Sequence, residues 1–190
     1  MAKNIMIVGV GGQGTLLASR ILGNVAIKCG YDVKVSEVHG MSQRGGSVVT
    51  YVKYGKVVNS PIIDFGEADV ILAFEKLEAI RALPYLKIGG KIILNDREIA
   101  PMPVITGACE YPTGIVEELL SKAEVVSLDA LNLSLQAGSL KAVNVVLIGV
   151  LAKTMQIEKQ VWLDVIKETV PPKFLDLNIK AFELGYTFGE

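Results

Sequence analysis

Cysteine is scarce in this sequence: Cys29 and Cys109 are the only two, far apart and without companions at metal-ligand or cluster spacing. The chain is therefore not expected to hold an iron–sulfur cluster by itself, and no metal site is expected in it. Cys29 falls on the apolar side of an expected helix, where a buried, inert thiol is the anticipated state. Histidine is scarcer still, with His39 the single example, and no obvious catalytic pair can be assembled. Neither sign of charge dominates. The 19 Lys and Arg face 20 Asp and Glu without long runs, so the electrostatic footprint of a nucleic-acid or anionic-membrane binder is missing. Long apolar runs are missing too: the most apolar stretch, Ala142 to Ala152, is interrupted by Asn144 and is far shorter than the roughly 20 residues a spanning helix needs. Met1 to Gly12 turns into a glycine loop too soon for a signal peptide. Yet hydrophobic residues make up 51% of the chain and mean hydropathy is +0.43, high for a domain that must cover itself with polar side chains. A cytoplasmic protein with a large apolar interface reconciles these features.

What is present reads as alternating strands and helices. Asn4 to Val8 is a short apolar run that closes on glycines, as a buried strand entering a tight turn does. From Gln13 to Lys28 the residues Leu17, Ala18, Ile21, Leu22, Val25 and Ala26 recur at helical spacing, with Gly30 as the stop. Asp32 to Glu37 alternates as a second strand, and Ser47 to Tyr54 fits another, with Tyr54-Gly55-Lys56 turning it back into Val57 and Val58 as an antiparallel hairpin. Further strands are expected at Val70 to Phe74, Lys91 to Leu94, Val104 to Thr106 and Val125 to Leu128. Helices are expected at Lys76 to Leu86 and Gly114 to Lys122, with Gly89-Gly90 as a turn. From there on the chain reads as helical: Leu140 to Thr154 is apolar nearly all round, Glu158 to Thr169 is amphipathic, and Lys173 to Leu184 follows Pro171-Pro172. The expected architecture is α/β: a Rossmann-like three-layer α/β/α arrangement with a mostly parallel, mixed sheet and a helical C-terminal part. No linker or repeat interrupts it, so residues 1–190 are expected to form a single domain.

Gly9-Val10-Gly11-Gly12-Gln13-Gly14 satisfies G-x-G-x-x-G after a strand and at the start of a helix, where unpaired N–H groups and the helix dipole favour a phosphate. Glu37 ends the second strand about where a dinucleotide-binding fold places its ribose-binding acid. Together these suggest a free-standing NAD- or FAD-dependent oxidoreductase. The same turn also serves to pack strand on helix or to meet another subunit, and the chain is short of a separate substrate domain. The segment Glu37-Val38-His39-Gly40-Met41-Ser42-Gln43-Arg44-Gly45-Gly46 concentrates more functional side chains than any other stretch and follows the second strand, so it should emerge beside the glycine loop at the sheet's carboxyl edge. Arg44 could clamp a carboxylate or phosphate, Ser42 and Gln43 could hydrogen-bond, and Gly45-Gly46 would admit a close approach. Asn144 is a polar residue in a helix that looks buried, so its amide must find partners.

Taken in order, G-V-G-G-Q-G at Gly9 to Gly14, S-E-V-H-G-M-S-Q-R-G-G at Ser36 to Gly46, G-S-L-K-A-V-N-V-V-L-I-G at Gly138 to Gly149, and the tail with Asn178, Ala181, Phe182 and Gly185 carry a resemblance over essentially the whole chain. The sequence is similar to the gamma-type domain of the 2-oxoacid:ferredoxin oxidoreductases. The resemblance implies a complex that decarboxylates an arylpyruvate on thiamine diphosphate, passes two electrons through iron–sulfur clusters to ferredoxin, and releases an aryl-acetyl-CoA, with CoA as co-substrate. It also implies that thiamine diphosphate, Mg and the [4Fe-4S] clusters sit on a large catalytic subunit. This chain would then be the small subunit of a cytoplasmic hetero-oligomer in an anaerobe, holding no cofactor alone and inactive alone. Pyruvate-type members carry a proline- and glutamate-bearing segment before Arg44-Gly45-Gly46; His39-Gly40-Met41-Ser42-Gln43 departs from it and points to the indolepyruvate branch. No catalytic residue carries over. The roles implied are supporting ones: Gly9, Gly11, Gly12, Gln13 and Gly14 near a cofactor or coenzyme A, and Glu37, His39, Ser42, Gln43, Arg44, Gly45, Gly46 and Asn144 at substrate or interface.

Overall fold

The structure, a computed structural model, describes residues 2–40 and 45–189. The elements run β1 (Lys3–Val10), α1 (Thr15–Lys28), β2 (Asp32–His39), β3 (Ser47–Gly55), β4 (Ala68–Ala73), α2 (Lys76–Ala82), β5 (Leu86–Asn95), α3 (Met102–Ile105), α4 (Ile115–Lys122), β6 (Glu124–Leu128), α5 (Ala130–Ala137), α6 (Val143–Thr154), α7 (Lys159–Thr169) and α8 (Leu175–Tyr186). The strands form one mixed sheet in the order β2-β3-β1-β4-β5-β6. Strand side chains alternate between faces, so each face gathers its own core. Ile5 and Ile7 of β1 pack with Leu72, Ile93 and the helices α1 and α5 to α8, whereas Met6 and Val8 pack with Ile71, Ile92 and the smaller helices α2 and α4. Helices on both faces give the three-layer α/β/α arrangement expected.

The sheet is mixed for a reason the sequence did not disclose. β3 pairs antiparallel with β1 along one edge and with β2 along the other, while β1, β4, β5 and β6 are mutually parallel. The hairpin is therefore β2–β3. The expected return of Tyr54-Gly55-Lys56 into Val57 and Val58 is not made, and those valines lie outside any strand. Both edges of β3 are already paired, which leaves no place for a further strand there. Val104 to Thr106, expected as a strand, belongs instead to α3 and its end; Pro101 is its N-cap and Pro103 lies in its first turn, where a missing N–H is harmless. Gly89-Gly90 lies inside β5 rather than between elements. From Ala68↔Leu86 to Val70↔Lys91, β4 advances two residues and β5 five, so the surplus bulges out around Gly89.

Cys29 is exposed, not buried, because α1 ends at Lys28 and Cys29 is its C-terminal cap, beyond the face that packs on the sheet. Cys109 is exposed as well. In α6, nine consecutive residues from Asn144 to Ala152 are buried. The helix is sandwiched between the sheet and α8, which explains its all-round apolar sequence without a membrane. No helix among the described residues is long and apolar enough to cross one. α6 and α8 meet backbone to backbone at Gly149 and Gly185: a Cβ on Gly149 would lie 2.3 Å from the Phe182 carbonyl oxygen, and one on Gly185 would lie 2.0 Å from that of Val146.

Candidate functional site

β2 and β1 run in the same direction with β3 between them, so the carboxyl ends of β1, β2, β4, β5 and β6 share one edge of the sheet. At that edge lies an open depression of about 420 Å³, lined by Gly11, Gly12, Gly14, Thr15, Leu16, Glu37, His39 and Val48. The glycine loop and the end of β2 thus meet at this depression, and the loop also meets Gly46, just before β3, through the Gly46 carbonyl. Gly9 and Val10 close the β1–β3 pairing opposite Val48 and Ser47. Glu37 and His39 are exposed on β2; a carboxylate oxygen of Glu37 accepts from Thr50 Oγ1 at 3.1 Å, and His39 Nδ1 lies 3.2 Å from the Gly40 carbonyl oxygen. Gly45 adopts φ 76, and Gly46 leads into β3. Ser42, Gln43 and Arg44 lie outside the described residues.

The glycine loop is tied down by its own chain. Val10 N–H donates to Gln13 Oε1 at 2.7 Å, Gln13 N–H to the Val10 carbonyl at 3.2 Å, and Gly11 N–H to the Gly46 carbonyl at 2.9 Å. Gln13 Nε2 in turn donates to the Phe74 carbonyl at 3.0 Å. Three amides of the loop are thus already engaged, and the antiparallel β3 moves Glu37 one strand spacing, about 4.8 Å, further from β1 than a direct β1–β2 neighbour would be. A dinucleotide's pyrophosphate and ribose meet a different geometry here from the one the motif alone suggests.

Asn144 is the structural partner of this loop. It is 3% exposed, and its Nδ2 donates to the Gly14 carbonyl at 3.2 Å while its Oδ1 accepts the Val145 N–H at 2.9 Å. Gly14 sits at φ 85 as the N-cap of α1, a left-handed conformation, and a Cβ there would come within 2.7 Å of Asn144 Nδ2. Asn144→Ala removes both bonds and is expected to lose about 2 kcal/mol, since the Gly14 carbonyl and the Val145 N–H each lose a partner. Urea unfolding measures it, and an unchanged midpoint would mean that this contact does not hold the loop.

Sequence reasoning missed a second polar group at the same edge, at the β4–α2 junction. Glu75 is 1% exposed and caps α2, accepting the Glu78 N–H at 2.9 Å, the Ile99 N–H at 3.2 Å and the hydroxyl of Tyr111. Burial, then the bond to Glu75 and its charge, push the Tyr111 phenol well above its ordinary range. Asn95, also buried, bridges the Phe74 carbonyl and the Ala130 N–H. The signal was a charged residue directly after an apolar strand, Phe74-Glu75, with Glu78 three residues on as in a capping box. Thr15, Leu16 and Val48 were also missed as lining residues. A larger cavity of about 510 Å³ opens at the opposite, amino edge of the sheet among Lys3, Tyr31, Tyr54, Asp69, Lys87, Lys91 and Glu124, where Asp69 pairs with both Lys3 and Lys87 and Glu124 pairs with Lys91. No group of three or more His, Cys, Asp or Glu placed to hold a metal ion occurs among the described residues.

Comparisons with known proteins point one way. Residues 4–188 match the family described as pyruvate ferredoxin/flavodoxin oxidoreductase. The chain is 47% identical to indolepyruvate oxidoreductase subunit IorB of Thermococcus kodakarensis, over 96% of this chain and 93% of that one, and 39% identical to the protein of the same name in Methanothermobacter thermautotrophicus, over 98% and 97%. Among solved structures, the keto/oxoacid ferredoxin oxidoreductase gamma subunit of Geobacter sulfurreducens superposes with a TM-score of 0.73 at 22% identity, covering 97% of this chain and 96% of that one. A 2-oxoglutarate:ferredoxin oxidoreductase chain from Magnetococcus marinus gives 0.74 at 16% identity, and there this chain spans 30% of the longer polypeptide. The match extends over nearly every residue, to relatives of nearly the same length: the chain belongs to the pyruvate ferredoxin/flavodoxin oxidoreductase family.

Proposed function

We propose that this chain is the small subunit of a 2-oxoacid:ferredoxin oxidoreductase acting on arylpyruvates such as indolepyruvate. The reaction takes the 2-oxoacid anion, CoA and two oxidised ferredoxins to the aryl-acetyl-CoA, CO2, a proton and two reduced ferredoxins. The observation that carries this reading is the 47% identity over 96% of the chain to a relative named as an indolepyruvate oxidoreductase subunit. Thiamine diphosphate, Mg and the [4Fe-4S] clusters belong, in this reading, to a large catalytic subunit in the cytoplasm. For a cluster this chain has only two cysteines, both exposed and neither within a helix or strand, where a [4Fe-4S] cluster takes about four thiolates.

The chain's part is to present its carboxyl edge. Leu16, 55% exposed, lines the depression and supplies apolar contact for a partner. In this reading Gly11, Gly12 and Gly14, with Glu37 and His39, line the contact near CoA or the cofactor, Gly9 and Gln13 shape the loop from behind, and the segment from Ser42 to Gly46 supplies Arg44 for an anionic group. Asn144 serves from behind by holding Gly14. The rival reading, a free-standing NAD or FAD enzyme, is opposed by the engaged loop amides and by the strand between β1 and β2.

The test is anaerobic reduction of ferredoxin or a viologen dye, dependent on indolepyruvate and CoA, by the chain alone and by the complex that co-purifies with it. Activity is expected only with a partner containing thiamine and iron. A solitary chain that binds NAD or FAD tightly would overturn the reading. In the active complex, Arg44→Ala is expected to raise the KM for CoA or the 2-oxoacid at least about tenfold, as loss of a charge-assisted contact does. Unchanged assembly together with unchanged CoA dependence would remove Arg44 from the site.

A further inference from the structure

The glycine loop touches the β4–α2 junction twice, by independent routes. One is direct, from Gln13 Nε2 to the Phe74 carbonyl. The other runs through Glu78, a buried carboxylate in the first turn of α2. Glu78 accepts the hydroxyl of Ser47 on one oxygen and Arg81 Nη1 at 2.7 Å on the other. Ser47 is the first residue of β3 and sits opposite Val10 in the register; the residue before it, Gly46, presents the carbonyl that receives the Gly11 N–H at 2.9 Å. The residue after it, Val48, lines the depression.

We infer that Glu78 is a positioning residue for the depression: by holding Ser47 it fixes the Gly46 carbonyl, and through that the orientation of Gly11. The inference rests on the small-subunit reading for its use, though not for its geometry. A carboxylate is an expensive group to bury, and hydrophobic side chains of similar volume would pack α2 against the sheet at least as well. Its directional contacts separate the two roles. Arg81 is half exposed and neutralises the charge, whereas Ser47 lies at the end of a strand whose remaining ladder would form without it. The hydroxyl contact therefore adds nothing the sheet lacks except a fixed end at the point where the glycine loop is gripped.

Two readouts test this. On the full chain, amide hydrogen exchange at Gly11 is compared in wild type, Ser47→Ala and Glu78→Ala. Ser47→Ala removes the single contact and leaves the ion pair, so Gly11 is expected to exchange about tenfold faster while amides in the middle of β1, such as Ile7, keep their protection. Glu78→Gln, which keeps the size and one acceptor, should restore much of the protection lost in Glu78→Ala. In the active complex the same substitutions are expected to raise the KM for CoA by a larger factor than they lower kcat. Unchanged exchange at Gly11 in both alanine variants overturns the inference and leaves the subunit reading standing. Faster exchange at Gly11 with KM and kcat both unaffected also overturns it, since the loop would then be held for no purpose at this site. A wild-type complex with no 2-oxoacid activity would sink the subunit reading, and the exchange experiment would still decide whether Glu78 positions the loop.

Discussion

Gly185→Ala is expected to lower the stability of the fold by about 3 kcal/mol, because the new methyl carbon would be driven to 2.0 Å from the Val146 carbonyl oxygen. The obstacle is helix backbone, not the tip of a flexible side chain, so relief requires α8 to move away from α6 along the contact that includes Gly149. The better helix propensity of alanine returns only about 1 kcal/mol, which makes the packing penalty the deciding effect. For a chain of this size the loss corresponds to a fall in the thermal midpoint of roughly 6–12 °C. Trp162 reports it well: it is the single tryptophan, fully buried on α7, with its ring 6.4 Å from that of Phe182 on α8. A midpoint within about 2 °C of wild type would show that the two helices are not locked at this crossing. Gly149→Ala meets the same contact from the other side and is expected to behave alike.

Glu75→Ala is the second large effect. The side chain caps α2 and also holds both legs of the excursion between β5 and α4, by the Ile99 N–H on one side and the Tyr111 hydroxyl on the other. Its removal leaves three buried or half-buried donors to find new acceptors, and the loss of a cap adds to that of the loop contacts, for about 3 kcal/mol in all. The expected signature is local as well as global: limited proteolysis between Asp96 and Gly114 should begin before the rest of the chain opens. Tyr111→Phe breaks one contact and should lose about 1 kcal/mol. If Glu75→Ala unfolds at the wild-type denaturant concentration and the excursion stays resistant to protease, the carboxylate is not its anchor.

These residues mark where reading the sequence stopped. The strands around Ile5 to Val8, Val70 to Ala73 and Ile92 to Leu94, and the helical repeat of α1, α6 and α7, are written in local periodicity and were legible for that reason. The place of β3 was not, because pairing partners are chosen by long-range contacts that no local pattern encodes; its valines and tyrosines fit a central strand between β1 and β2 as well as a terminal hairpin. Cys29 was misplaced by extending the helical face one residue past its end. At the carboxyl edge the glycine loop, Glu37 and His39 were found from position alone, and Asn144 from its polarity among apolar neighbours. What the motif hid was that Gln13 uses the loop's own amides, and what the composition hid was that Glu75 and Glu78 are buried, since charged residues at a helix start are ordinarily solvated.

The hairpin at the sheet's edge has a bearing on how such a surface can change. Each flank of residues 40–46 is a strand matched residue for residue with its neighbours, from Asp32↔Gly55 to His39↔Val48 and from Lys3↔Tyr54 to Val10↔Ser47. Adding or deleting one residue within β3 would turn its side chains to the wrong face against two strands at once. Adding residues between His39 and Ser47 disturbs none of those pairs, and doubling the connection's length adds only about 0.6 kcal/mol of closure entropy. Changes of length are therefore steered into the connection between His39 and Ser47, where they leave the paired strands on either side in register.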